Sequence, residues 1–141
     1  MNLKNVRANI DRNEELPHGK VVENNLISSF ELAGIPVQRG AELDHNSKID
    51  CLVLLNGERC GIQISLQLDM VKARAAKCCA LDVVQRFIYL RVSDRMFDRP
   101  DLRAGQRLHE LLTWATARQP QYPALLIAPG EGPRRGIVEP L

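Results

Sequence analysis

Ile49-Asp50-Cys51-Leu52-Val53-Leu54-Leu55-Asn56-Gly57-Glu58-Arg59-Cys60-Gly61-Ile62-Gln63-Ile64-Ser65-Leu66 decides the fold of this chain. Residues 49–55 form an apolar run that carries a single acid, and residues 58–66 alternate apolar with polar. Asn56-Gly57 lies between them, the strongest short-range signal for a two-residue hairpin turn, since both types accept positive φ. With that turn, Leu55 stands opposite Glu58, and each outward pair keeps the same sum of residue numbers. Asp50 then faces Gln63, and Lys48 faces Ser65. Alternation along a strand gives all four one face of the hairpin. Counted from the turn, both pairs fall at non-hydrogen-bonded positions, where side chains approach most closely. A carboxylate, an amide, an ammonium and a hydroxyl beside a buried strand make a candidate site. The other face carries Cys51, Val53, Cys60, Ile62 and Ile64 and is expected to enter the core.

Upstream, Val22, Leu26, Phe30 and Ala33 recur at helical spacing from Lys20 to Ala33, and Gly34 is a good stop. Ile35-Pro36-Val37-Gln38-Arg39 reads as a short strand, with Pro36 suited to an edge or a strand start. Downstream of Leu66 the pattern turns helical through Leu68, Val71, Ala75, Cys78 or Cys79, and Val83. Gln85 to Val92 reads as a strand. Asp101 caps a helix expected to run to about Ala117, and Ala124 to Ala128 forms a last strand. The order α-β-β-β-α-β-α-β predicts an α/β domain, a mixed sheet flanked by helices. Its expected bounds are residues 18–128, between an arm at 1–17 and a loose tail at 129–141 rich in Gly, Pro and paired arginines.

Composition narrows the function classes. The chain has 141 residues, with 45% hydrophobic and 26% charged, enough for one domain with a real core. Aromatics make up 4%, which excludes a platform of several rings for base stacking. No apolar run reaches the length of a membrane helix, and the first residues lack the apolar core of a signal peptide, so a cytoplasmic location without membrane attachment is expected. The net charge is +2, unevenly spread. Residues 1–70 hold 7 Lys/Arg and 10 Asp/Glu, whereas residues 71–118 hold 10 and 5. Lys72, Arg74, Lys77, Arg86 and Arg91 fall in that basic second half and make a strip suited to phosphates; a solvated helical face explains the same charges. The four cysteines lack the repeated spacing of a zinc module and are expected to be reduced, buried hydrophobes. His18, His45 and His109 show no ligand spacing. Trp114 is expected to pack in its helix, and no phosphate-binding loop or nucleophile elbow is present.

The order of elements, together with Glu23, Asp50 and Gln63-Ile64-Ser65, resembles the restriction-endonuclease-like, or PD-(D/E)XK, nuclease superfamily over roughly residues 18–92. The resemblance implies an αβββαβ core, here with an added C-terminal αβ unit. It also implies a metal-dependent hydrolysis of DNA phosphodiester bonds. In such a site Asp50, Gln63 and Glu23 would hold Mg²⁺ or Mn²⁺, and a lysine would position water. Two departures matter. Gln63 stands where the family usually has a carboxylate, and Ser65 where it has the lysine. Lys48, opposite Ser65, and Lys72, in the following helix, are the candidate replacements. The basic residues Lys72, Arg74 and Lys77 would contact DNA. The alternative is a nuclease fold without catalysis that binds nucleic acid or a protein partner; a homodimer through the last helix and strand is a further expectation. Each site residue also has a plainer reading. Asp50 could be a strand-end acid paired with Lys48, Glu23 a surface helix residue, and Ser65 part of a helix cap.

Overall fold

The computed structural model describes residues 18–40, 49–66, 84–93, 95–130 and 136–141. The first helix, α1 (His18–Leu32), closes as its sequence suggests. Ile35 N–H donates to Phe30 O, Gly34 N–H donates to Glu31 O, and Gly34 adopts φ +75. This is the left-handed glycine termination that satisfies the last carbonyls of a helix. A helix of 15 residues is marginal alone. Its apolar side, with Val22, Leu26, Ile27 and Phe30 all buried, therefore supplies its stability through packing.

Six strands follow in one sheet: β1 (Val37–Arg39), β2 (Cys51–Leu55), β3 (Glu58–Ser65), β4 (Arg86–Arg91), β5 (Ala124–Ala128) and β6 (Ile137–Pro140). They lie side by side in sequence order. β1, β2 and β3 form an antiparallel meander, β3, β4 and β5 run parallel, and β6 returns antiparallel on β5. The mixed α/β sheet expected from the sequence is thus present. The turn at Asn56-Gly57 has φ of 54 and 78, the two positive values of a type I′ hairpin, and the register runs from Leu55↔Glu58 to Cys51↔Ile62 as the turn dictates.

The second helix, α2 (Leu102–Arg118), begins where Asp101 accepts hydrogen bonds from the N–H groups of Arg103 and Ala104. It crosses α1 closely at Gly105, where a Cβ would lie 2.3 Å from Ser29 O. Ser29 Oγ in turn accepts from Asp101 N–H at 2.9 Å, so the cap and the crossing are fixed together. Both helices share one core with Cys51, Val53, Leu55, Cys60, Ile62, Ile64, Ile88, Leu90, Leu125 and Ile127 on one face of the sheet. Phe87, Tyr89, Ala124 and Leu126 form a smaller cluster on the other face, with Leu141 against it. Cys51 and Cys60 are free and buried, as expected. Burial pushes the Cys60 thiol up to about 11 and the Cys51 thiol up as well, so neither is a ready nucleophile.

Three expectations are corrected. The tail read as loose contains β6, whose pairing with β5 covers the outer edge of that strand. Trp114 does not pack inward; it is 53% exposed and lies under the Arg118 guanidinium, 5.0 Å from the ring centre. Arg86 is not part of a basic surface strip. Its side chain is buried, and it donates to the carbonyls of Thr116, Gln119 and Tyr122 at the end of α2. Those carbonyls have no partner within the helix, and a buried guanidinium fits them because it offers five donors in a fixed plane. The arm at 1–17 and the helix expected after Leu66 lie outside the described residues.

Candidate active site

The site forms where the hairpin opens, away from its turn. Asp50 sits just before β2, and here the regular ladder stops. Its N–H donates to Ile62 O at 2.8 Å, one position nearer the turn than the register would take it. Its own carbonyl accepts from Gly40 N–H at 2.8 Å, on the β1 side. The side chain then replaces the missing rung. Asp50 Oδ2 accepts the Ile64 N–H at 2.7 Å.

This bend changes which residues meet. Strict alternation would place Ile49 and Cys51 on one face. Instead Ile49 Cδ1 lies within 2.8 Å of where a Gly61 Cβ would be, on the face opposite Cys51. Asp50 is the residue that absorbs the switch, and its carboxyl turns to α1 and meets Glu23. The expectation that Asp50 and Gln63 share a face therefore fails at the last step. Alternation along β3 sends Gln63 toward the face of Gly61 and Tyr89, away from α1. There Gln63 is buried, and its Oε1 has no hydrogen-bond partner among the described residues. Ser65 ends β3 half-buried, with its carbonyl accepting Val92 N–H at 2.9 Å.

Glu23 is no ordinary surface acid. Its side chain is 13% exposed, and Lys20, one turn earlier on α1, donates to Glu23 Oε1 at 2.8 Å. The site thus gathers two carboxyls and one ammonium from α1 and the mouth of β2. Burial is the largest influence on Asp50, and the charge of Glu23 is the next. Both disfavour the carboxylate, while the Ile64 N–H and the Lys20 charge favour it. The balance lifts the Asp50 pKa from 3.8 to about 7. The neighbouring acid keeps the Asp50 carboxylate disfavoured unless a cation balances the charge.

Lys20 is the residue that sequence reasoning missed. A signal existed: Lys20 lies three positions before Glu23, the spacing at which helical side chains pair. Lys48, Lys72, Arg74 and Lys77 lie outside the described residues. Among the described residues no three His, Cys, Asp or Glu side chains gather at one point. These described residues therefore offer no tetrahedral zinc site. The Asp50–Glu23 pair does fit Mg²⁺ or Mn²⁺, hard ions held by one or two carboxylates with water completing the shell.

No family model matches the chain, and no match was found among curated proteins or solved structures.

Proposed function

We propose that the protein is a metal-dependent nuclease-like enzyme that hydrolyses DNA phosphodiester bonds at the Asp50–Glu23–Lys20 cluster. The observation that carries this reading is the half-buried Asp50 carboxyl set against a second acid, with its pKa raised to about 7. A fold that needed only packing has no reason to bring two acids together beneath a helix. Asp50 and Glu23 are the residues that would hold the ion, with Gln63 left outside the pair. When bound, Mg²⁺ or Mn²⁺ supplies Lewis-acid polarisation of the phosphoryl group and a more acidic water.

The chain's own groups have separate tasks. Ile64 N–H fixes one Asp50 oxygen and leaves the other free to turn toward Glu23. Lys20 holds Glu23 in place and offers positive charge where negative charge grows on the phosphate oxygens. It thereby fills the role that Ser65 cannot. A second reading, a nuclease fold that binds nucleic acid without cutting it, draws on Gln63 and Ser65 in the third-strand positions.

Cleavage separates the two. Plasmid and single-stranded DNA are incubated with Mg²⁺ or Mn²⁺, with wild type beside Asp50→Ala and Lys20→Ala. The enzyme reading expects cutting that chelator and Asp50→Ala abolish and that Lys20→Ala weakens about 100-fold or more. Absence of cutting with either metal, alongside salt-sensitive DNA binding, selects the binding module.

A further inference from the structure

A cleft of about 510 Å³ opens beside α2, lined by different residues from those of the acid pair. Its size falls in the range of small-molecule sites, about 300–1,000 Å³. One wall is the α2 stripe Ala104, Arg107, Leu108 and Leu111, residues spaced to share one helix face. A second wall is the turn at Arg95–Phe97, held by Met96 N–H to Ser93 O and by Asn25 Nδ2 to Phe97 O. The chain leaving β5 at Pro129 makes the third.

The chemistry of the lining is two-sided. Phe97 and Leu108 are buried and form an apolar floor, with Ala104 and Leu111 half-buried beside them. Arg95 and Arg107 are exposed members of the same lining. Neither guanidinium forms an ion pair or hydrogen bond among the described residues. That contrasts with Arg39 and Arg86, which each have acceptors. Two guanidinium groups without anions among the described residues, beside an apolar floor, select a molecule with the complementary division.

We propose that this cleft binds a small amphipathic anion: one phosphate, carboxylate or sulfonate group on an apolar body. The head group pairs with Arg95 and Arg107, and the body lies on Phe97, Leu108 and Leu111.

Two fluorescent probes of nearly the same shape test it. 1-Anilinonaphthalene-8-sulfonate carries the anion, and N-phenyl-1-naphthylamine lacks it. The expected result is one sulfonate probe per chain, bound about tenfold or more weakly by Arg95→Ala/Arg107→Ala, with binding of the neutral probe unchanged. Ala104→Trp fills the cleft and should remove both probes. Near-ultraviolet circular dichroism confirms that each variant is folded. Dodecanoate and dodecyl phosphate as competitors show which head group is preferred, and dodecanol should displace the sulfonate probe far less well. No binding of the sulfonate probe, or equal binding by wild type and the double arginine variant, overturns the proposal. So does retention of the probe by Ala104→Trp.

Discussion

Two charges enter the interior of this protein at opposite ends of the hairpin, and their surroundings differ in kind. Arg86 lies at the turn end, opposite Cys60, and is met by three carbonyl oxygens, with Glu58 3.7 Å away. Asp50 lies at the open end and is met by one N–H, a second acid and a lysine already paired with that acid. The Arg86 surroundings answer positive charge with acceptors. Those of Asp50 add negative charge to negative charge. A charge met by groups of opposite polarity holds a fold together, whereas a charge opposed by its own sign marks a place where something else is meant to bind.

Removing the answered charge should have the larger effect. Arg86→Met leaves the Thr116 and Tyr122 carbonyls without the guanidinium donor, while Gln119 O keeps only the Tyr122 N–H. The expected loss is about 3–5 kcal/mol in urea unfolding, concentrated at the α2–β5 junction. A loss under about 1 kcal/mol would mean that the carbonyls find water and that the contrast between the two ends is overstated.

Removing the opposed charge should act the other way. The folded Asp50 carboxyl binds its proton more tightly than the unfolded one, with values of about 7 and 3.8. Its contribution is therefore full below about pH 4 and is lost as pH rises through about 7. Asp50→Asn cannot ionise. It should flatten that decline and be more stable than wild type by about 2 kcal/mol near pH 8, measured by thermal unfolding across the range. Parallel wild-type and variant profiles would show that Asp50 is not the titrating group.

A cation should reproduce part of that gain. Near pH 8, Mg²⁺ at about ten times its Kd is expected to stabilise wild type by about 1.4 kcal/mol, and Asp50→Asn much less. Near pH 5 the effect should shrink, because the proton holds the site. The smallest effect belongs to Lys20→Ala. Lys20 is half exposed and its charge is screened, so stability should change by less than about 1 kcal/mol. Its signature is instead a further upward shift of the Asp50 midpoint.

The parts of the fold that could be read from sequence were local ones. The Asn56-Gly57 turn sets its own register, Gly34 ends its own helix, and Asp101 caps residues two and three positions on. The parts that could not be read depend on distant partners. Asp50 bends because Gly40 takes its carbonyl and Ile62 its N–H, and no hydrophobic pattern carries that information. Arg86 is buried because α2 ends beside it, 30 residues later. β6 forms from a segment with turn-rich composition because β5 offers it an edge. In the site, the sequence shows Asp50 as an acid at the mouth of an apolar strand and Glu23 as an acid on the first helix. Their contact through the bend is not legible there, and neither is the part taken by Lys20.

The most direct test is the titration of Asp50 itself, followed by carboxyl carbon NMR with and without Mg²⁺. A pair that exchanges its proton for a cation should give a midpoint near 7 in metal-free protein. That midpoint should fall when Mg²⁺ is added. A midpoint near the ordinary carboxylate value of about 4, or one near 7 that Mg²⁺ leaves unmoved, would contradict the account.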